Sequence, residues 1–405
     1  MVGQMKLETA GLHWRLDRNQ VFLNHGSFGA VPLEVEQERR RWLDQLELDP
    51  VGFLVEQLPE ALGQARSALA QFLGAAPAEA QGLAFVPSTT YGLNELISQW
   101  QLPEGSRVLI GMDAYNATAN IVEFWAEQRG WQVLRAQWPL PLNCCSELLE
   151  AYRSELRKGV ALWVIDHITS PTAMWQPLEQ LIPMARAHGA AVIVDGAHGP
   201  GSLPINLTSL AGLGLDAYVG NLHKWLCCPK GSAFLWVREA LRQQLRPLVI
   251  SHGANAPVGS EGRFRLEHDW LGTNDPSGYL CLPKALALLG LATPSDQEKQ
   301  LKQRRQVLLP ARQALLEALG SANVGALVPE GQVASMVAVE LVNCDPDITY
   351  KYFRNAGIQI PVIPLRPHRK QERCFLRPSW FNYNTISDLE YLIEICKRLP
   401  LIKAT

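Results

Sequence analysis

Short apolar runs alternate with helical segments through most of this chain, and this alternation constrains the fold more than any other feature. The runs with strand character are GLAFV (82–86), RVLIG (107–111), WQVLRA (131–136), GVALWVID (159–166), AAVIVD (190–195), DAYVG (216–220) and AFLWV (233–237). Helical patterns occupy 90–100, 116–130 and 177–189, and the last two end in glycine, a common helix stop. Strands that are apolar on both faces are typical of sheets covered by helices on both sides. We therefore expect an α/β domain around a parallel or mixed sheet over about residues 21–260.

Helical segments precede this block, and a different pattern follows it. Amphipathic helices are predicted over 33–48 and 59–73. The tail has helical patterns at 276–290 and 296–319, a strand at 333–342, a helix at 348–357, a strand at 374–377 and a helix at 386–399. These patterns predict an N-terminal arm (1–20), a large domain (21–265) and a smaller α+β C-terminal domain (266–405), with a ligand cleft between the two domains.

Composition excludes several classes of function. The 405 residues include 37 basic and 39 acidic side chains, a formal net charge of −2, so no broad basic surface for nucleic acid is expected. No apolar run has the length of a membrane span, and the first residues lack the apolar core of a secretory signal, so we expect a cytoplasmic protein without a membrane partner. The eight cysteines include two adjacent pairs and no CxxC spacing, which argues against a metal site and a disulfide framework.

Polar side chains follow four of the predicted strands. Ligands of open α/β sheets bind at the carboxyl ends of the strands, where these side chains should converge. They are Ser88, Thr89 and Thr90; His167, Thr169 and Ser170; Asp195 and His198; and Asn221, His223 and Lys224. Each has an ordinary structural explanation, as a helix cap, a turn residue, a core histidine or a solvated lysine. Together they offer an anion site at a helix N-terminus, a carboxylate and an amine at one sheet edge.

Lys224 is followed by an unusually apolar stretch of sequence, in GNLHKWLCCPKG (220–231). An apolar setting favours a neutral amine, which is the form that adds to carbonyl groups. Pyridoxal 5′-phosphate (PLP) needs such an amine for its aldehyde, an anion site for its phosphate and an acidic partner for its pyridine nitrogen. The sequence therefore predicts a PLP site around Lys224 and Asp195.

Several longer motifs, in the same order along the chain, carry a family resemblance. They are VFLNHGSFGAVP (21–32), DHITSPTA (166–173), VIVDGAHGPG (192–201), GNLHKWLCCPKGSAFLWVR (220–238), RPLVISHG (246–253), LGTNDPSGYL (271–280) and, more weakly, FLRPSWFNYNTISDLEYL (375–392). They resemble the class V aminotransferase family of fold-type I PLP enzymes, in its isopenicillin N epimerase-like branch, which is related to cysteine and cystine lyases. The resemblance implies a PLP-dependent transferase-like fold, with a mostly parallel seven-stranded sheet between helices in the large domain.

The resemblance also implies roles at the cofactor. Lys224 would hold PLP as a Schiff base, Asp195 would pair with the pyridinium nitrogen, and His198 or Ser170 would contact the phenolic oxygen. The phosphate would be held by Ser88, Thr89 and Thr90, with help from Asn221 and His223.

Further roles concern the ring face, the partner subunit and the substrate. Either Tyr115 or Asn116 would stack on the cofactor ring. Thr273 would reach the phosphate of the partner subunit, which implies a homodimer with shared active sites. Arg377 would clamp the carboxylate of an amino-acid substrate, and Asn24, Gly26 and Ser27 would line the substrate side.

The expected chemistry starts when Lys224 removes the Cα proton of a substrate bound to PLP as an external aldimine. Epimerisation and C–S lysis are equally favoured outcomes, and transamination is an alternative. A cysteine desulfurase is disfavoured, because 360–373 has no cysteine, Cys374 lies on a predicted strand, and Cys227 and Cys228 fit a packing role. A non-catalytic sensor is the competing class, against which the intact lysine and aspartate argue.

A basic stretch, residues 366–373, lies near the expected active-site loop. It fits either a solvated loop or a second anion contact for a substrate side chain or the partner's cofactor.

Overall fold

The computed structural model describes residues 12–260, 262–365 and 373–399. The strands are β1 (Val21–Phe22), β2 (Leu83–Val86), β3 (Arg107–Gly111), β4 (Gln132–Ala136), β5 (Val160–Asp166), β6 (Ala191–Asp195), β7 (Ala217–Asn221), β8 (Ala233–Val237), β9 (Asn323–Ala326), β10 (Val339–Leu341), β11 (Ile358–Gln359), β12 (Val362–Pro364) and β13 (Cys374–Leu376). The helices are α1 (His25–Phe28), α2 (Leu33–Leu48), α3 (Leu58–Phe72), α4 (Pro77–Ala80), α5 (Thr89–Gln99), α6 (Asn116–Arg129), α7 (Cys145–Leu156), α8 (Leu178–Ala187), α9 (Leu207–Gly212), α10 (Glu239–Arg242), α11 (Arg263–Asp269), α12 (Ser277–Leu280), α13 (Leu282–Leu289), α14 (Pro294–Leu319), α15 (Pro346–Asn355) and α16 (Ile386–Lys397).

The large sheet has seven strands in the order β2-β8-β7-β6-β5-β3-β4. Only β8 runs antiparallel to its neighbours, and the remaining pairs are parallel. The predicted fold class, with a mostly parallel seven-stranded sheet, is confirmed.

Helices cover both faces of this sheet, which explains the continuous apolar runs of its strands. One face packs against α5 and α6 through side chains such as Leu96 and Val122. The opposite face packs against α3 and α8 through side chains such as Leu69 and Ile182.

A smaller antiparallel sheet, in the order β12-β13-β10-β9, forms with α14, α15 and α16 the C-terminal part of the chain. The short strand β1 pairs in parallel with β11, so the chain near residue 21 joins this part rather than the large sheet. The domain boundary at residue 265 stays a prediction.

Two predictions in the tail were wrong in detail. The strand expected over 333–342 is reduced to β10, because Val333 and Met336 make single bridges to two different segments instead of one continuous ladder. The helix expected over 276–290 is divided into α12 and α13 at Cys281.

The topology brings the carboxyl ends of three neighbouring strands together. Asp166, Asp195 and Asn221 are the last residues of β5, β6 and β7, and the first two are register partners. Across the described ranges, no helix combines the length and the apolar character that crossing a membrane requires.

Candidate active site

Lys224 lies in a tight loop directly after β7. The amide of Cys227 donates to the carbonyl of Lys224 at 3.1 Å, and the amide of Cys228 donates to the carbonyl of Leu222 at 3.2 Å. Nε2 of the buried His25 lies 3.1 Å from the same Lys224 carbonyl. These contacts hold the backbone, so that the lysine side chain enters the cavity described below.

The surroundings of Lys224 favour the neutral form of its amine. Burial, and secondly the positive charge of Arg377, lower its pKa to about 7, while the charge of Asp195 opposes the shift. Its Nζ lies 3.3 Å from Nε2 of His198. Burial, and secondly the charge of Lys224, hold the pKa of His198 well below its usual value, so the imidazole is neutral at physiological pH.

Asp195 is held at the end of β6 by two donors. Thr118 Oγ1 donates to its Oδ2 at 2.6 Å, and the amide of Ala197 donates to its Oδ1 at 3.0 Å. Burial raises the pKa of Asp195, against the effect of these two donors and of Lys224. A cationic ring nitrogen beside this carboxylate would restore its charge.

Two residues at Asp195 were not predicted. Thr118 lies in the first turn of α6, just beyond the predicted pair Tyr115 and Asn116. Asp166 ends β5 beside Asp195, and burial together with the charge of Asp195 holds its pKa well above the ordinary value. A pattern that marks the last residue of every apolar strand would have found Asp166.

The N-terminus of α5 carries the residues predicted to bind the phosphate. Ser88 caps the helix by accepting from the amide of Tyr91 at 3.1 Å, and the amide of Thr89 donates to Asn221 Oδ1 at 3.0 Å. Thr89 Oγ1 is buried and has no hydrogen-bond partner within the ranges that the structure describes. Thr90 is exposed. This end of the helix therefore offers free donors and the helix dipole to an anion.

Arg377 lies just after β13, with only 2% of its surface exposed. Its Nη1 donates to the carbonyl and to Oγ of Ser170 at 2.5 and 2.9 Å, and its Nη2 donates to Oγ of Ser27 at 3.1 Å. Burial lowers its pKa to about 10, which leaves it charged at pH 7. No carboxylate of the described residues pairs with it, so its charge can bind the carboxylate of a substrate.

Lys224, His198 and Arg377 line a cavity of about 510 Å³, a size typical of sites for small ligands, whereas Asp195, Asn221 and the predicted phosphate residues Ser88, Thr89 and Thr90 are not part of its lining. The predicted site residues that line it are Ser27, Tyr115, Asn116, Ser170, His198, Lys224 and Arg377. Tyr115 and Asn116 both face the cavity, so the choice of the stacking residue stays open.

Other predicted residues lie outside the cavity wall. Asn24 and Gly26 lie behind Ser27, where the amide of Gly26 donates to Ser379 Oγ at 3.0 Å. His223 Nδ1 lies 3.0 Å from the carbonyl of Ser232, and burial lowers its pKa to about 4. Thr273 is exposed. The roles predicted for Asn24, Gly26, His223 and Thr273 stay predictions.

Two further expectations have partial answers. His167 points into the core, with Nδ1 at 2.9 Å from the hydroxyl of Tyr218, and so does not join the site. In the basic stretch, residues 366–372 lie outside the described residues. Arg373 forms an ion pair with Glu340 and donates to the carbonyl of Leu140 at 2.8 Å. Its guanidinium is therefore already paired within the chain.

The site has the groups of a PLP enzyme, and the family model of class V aminotransferases matches residues 51–392. The chain belongs to the class V aminotransferase family. Members of this family depend on PLP, so the predicted family and cofactor are both confirmed.

The class V relatives include proteins with different reactions. Isopenicillin N epimerase of Amycolatopsis lactamdurans is 30% identical over 95% of this chain and 96% of its own length. Putative L-cysteine desulfhydrase 2 of Oryza sativa subsp. japonica is 29% identical over 66% of this chain, which spans 57% of that protein.

Solved structures of low sequence identity share the fold. The cystine C–S lyase C-DES, in complex with its reaction product cysteine persulfide, superimposes with a TM-score of 0.75 at 19% identity, over 94% of this chain and 98% of that one. The cysteine desulfurase CsdA from Escherichia coli gives a TM-score of 0.75 at 20% identity, over 95% and 96% of the two chains. This class V chain is thus a PLP enzyme whose relatives are of the epimerase or C–S lyase type.

The residues present fit the cofactor. Lys224 offers an amine whose pKa is lowered to about 7, and Asp195 offers a buried carboxyl group at the end of the neighbouring strand β6. The unpartnered Thr89 Oγ1 and the start of α5 offer donors for a phosphate.

Proposed function

We propose that this protein is a PLP-dependent C–S lyase acting on a small sulfur-containing α-amino acid of the cysteine or cystine type. The observation that carries the proposal is the position of one amine, that of Lys224, which lies 3.3 Å from His198 Nε2 in a cavity that also holds the buried guanidinium of Arg377. An elimination needs one base that removes the Cα proton and can return it to the departing sulfur.

The chain's own groups have distinct tasks in this proposal. When bound, PLP supplies an acceptor for the electron pair released at Cα. Arg377 binds the substrate carboxylate and so places Cα beside Lys224, whose Nζ takes the proton. Asp195, held by Thr118, balances the positive charge of the ring nitrogen. His198 offers a neutral Nε2 3.3 Å from the amine, as a hydrogen-bond partner that does not compete for positive charge.

A thiolate mechanism of the desulfurase kind has less support. None of the described residues that line the cavity is a cysteine, and residues 366–372 contain none. Cys227 and Cys228 lie close to Lys224 in sequence, but burial raises the pKa of both thiols far above neutrality. A buried thiol in this state is a poor nucleophile.

Epimerisation is the second candidate. Tyr115 lines the cavity with 42% of its surface exposed, and its hydroxyl is a candidate donor for returning a proton from a different direction than Lys224. The epimerase relative that matches 95% of this chain supports the same candidate.

The two candidates differ in their products. The holoenzyme is incubated in D₂O with cysteine, cystine and a panel of other L-amino acids, followed by assays for pyruvate, sulfide or persulfide, keto acids and D-enantiomers. Formation of pyruvate with sulfide or persulfide supports the lyase. Formation of a D-enantiomer with deuterium at Cα, without pyruvate, would instead support the epimerase. Lys224→Ala should abolish either reaction. Lys230→Ala is the matched control, because Lys230 is a nearby, exposed lysine that donates to the carbonyl of Gly29 outside the cavity.

We also propose a homodimer with shared active sites. Thr273 is exposed on the described surface, and the apolar side chains Leu248, Val249 and Ile250 are 44%, 43% and 62% exposed in a single run. Such a run is typical of an interface.

Subunit mixing tests the sharing. Lys224→Ala and Thr273→Val subunits are mixed after separate purification. A hybrid dimer that shares its sites has one site with both native residues, so activity should rise above that of either parent. No rise, in a mixture shown by tagged subunits to have exchanged, would contradict the sharing.

A further inference from the structure

Two cysteines distant in sequence meet in the small sheet. Neither lines the cavity, although Pro364, the register partner of Cys374 on β12, does. Cys374 begins β13, and Leu341 of the neighbouring β10 is its register partner. Cys344 follows three residues later, before α15. The two Sγ atoms are in contact, 2.7 Å apart, so the fold brings these sulfurs together.

The surroundings give the two thiols different properties. Cys344 is partly exposed, whereas Cys374 has 1% of its surface exposed. The hydrogen bond with Cys374 lowers the pKa of Cys344, and a contact with Thr349 Oγ1 at 3.2 Å acts in the same direction. The accessible sulfur is therefore also the one with more thiolate character, which is the property of an attacking cysteine.

We propose that Cys344 and Cys374 are a redox-active pair that closes to a disulfide on reaction with a small organic disulfide. The thiolate of Cys344 attacks one sulfur of the reagent, whose S–S bond breaks and releases one thiol. Cys374 then attacks the Cys344 sulfur of the mixed disulfide and releases the second thiol. The pair loses two electrons and two protons, and the reagent gains both as two thiols.

The position of the pair gives the bond a structural consequence. Cys374 is the first residue of β13, and Arg377 lies three residues further along the chain. A disulfide would tie the start of this strand to the turn before α15, and would restrain the segment that carries the buried guanidinium. This inference does not depend on the reaction assigned to the active site.

Mass spectrometry of the holoenzyme tests the pair. The reduced and desalted protein is treated with hydroxyethyl disulfide, which has no amino group to react at the PLP site, then alkylated under denaturing conditions and mapped. We expect a loss of two hydrogen atoms from the intact mass and a cross-linked peptide pair containing Cys344 and Cys374. Recovery of both cysteines in alkylated form, or a mixed disulfide at Cys344 that never resolves, would overturn the proposal.

Variants assign the order of attack. Cys374→Ser should accumulate the mixed disulfide at Cys344, and Cys344→Ser should leave Cys374 unmodified. Cys396→Ser, at a buried cysteine of α16, is the matched control and should form the cross-link as the wild type does. The mapping of the unaltered protein decides the proposal by itself if a variant fails to fold.

Discussion

The pKa of Lys224 can be tested directly in the cofactor-free protein. Burial and the charge of Arg377 lower it from 10.5 to about 7. Since each pKa unit changes the ratio of neutral to charged amine tenfold, about half of Lys224 is neutral at pH 7, against roughly one in three thousand for an ordinary lysine. This difference is large enough to dominate the reactivity of the site toward an aldehyde.

The assay is the rate at which the apoprotein captures PLP between pH 5 and 10, trapped by borohydride and located by mass spectrometry. The rate at Lys224 should rise about tenfold per pH unit below 7 and level off above about 8. The exposed Lys299 provides a reference for the reagent in the same sample. Arg377→Gln should move the midpoint up, because it removes a positive charge, and Asp195→Asn should move it down.

Two results would refute this reasoning. A midpoint near 10 in the unaltered protein would mean that the amine is fully solvated. Midpoints that do not move in opposite directions in the two variants would mean that neither charge acts on Lys224. Far-ultraviolet circular dichroism of each variant checks that the fold is retained.

Three further predictions concern single side chains. Arg377→Lys keeps the charge but loses the planar fork, and should raise KM by about ten- to a hundredfold in steady-state assays with a smaller change in kcat; an unchanged KM would remove Arg377 from substrate binding. Thr118→Val deletes a donor to Asp195 and should weaken PLP binding about tenfold in a fluorescence titration, whereas equal affinity would show that Asp195 needs no such support. Burial lowers the pKa of His268, but the 2.7 Å contact between His268 and Glu95 and the charge of Glu95 outweigh burial, so the pKa is raised overall. The His268–Glu95 pair should therefore contribute fully to the free energy of unfolding below about pH 6.5. This contribution should be lost as the pH rises through the raised pKa of His268. Urea unfolding at pH 6 and pH 9 should show this loss in the wild type but not in His268→Gln.

Elements that depend on local pattern were predictable. The apolar runs at 107–111 and 233–237 are strands β3 and β8 with the expected bounds, because a strand buried on both faces leaves a continuous apolar signature. The segment at 333–342 is equally apolar and is buried, yet only β10 forms there. Apolarity reports burial, and it does not report which segment supplies the hydrogen bonds.

The residues of the candidate site also differ in how far the sequence could predict them. Lys224 and Asp195 follow apolar strands directly, so the rule for strand ends located them without any knowledge of contacts. Thr118 is separated from Asp195 by 77 positions, and nothing near it in sequence marks it as the donor. The neighbouring sulfurs of Cys344 and Cys374 are 30 positions apart, and the cysteine spacing, which argued against a disulfide framework, did not indicate their contact.

By itself, the order of apolar strands and polar strand ends predicted the fold class and the cofactor, which are confirmed, and Lys224 as the lysine that would hold the cofactor, because each depends on residues adjacent in the chain. The tertiary structure decided what surrounds those residues: the burial and the Arg377 charge that lower the pKa of Lys224, the hydroxyl that holds Asp195, and the serines around Arg377. These follow from burial and from contacts between distant segments, which exist only when the sheets and helices have packed.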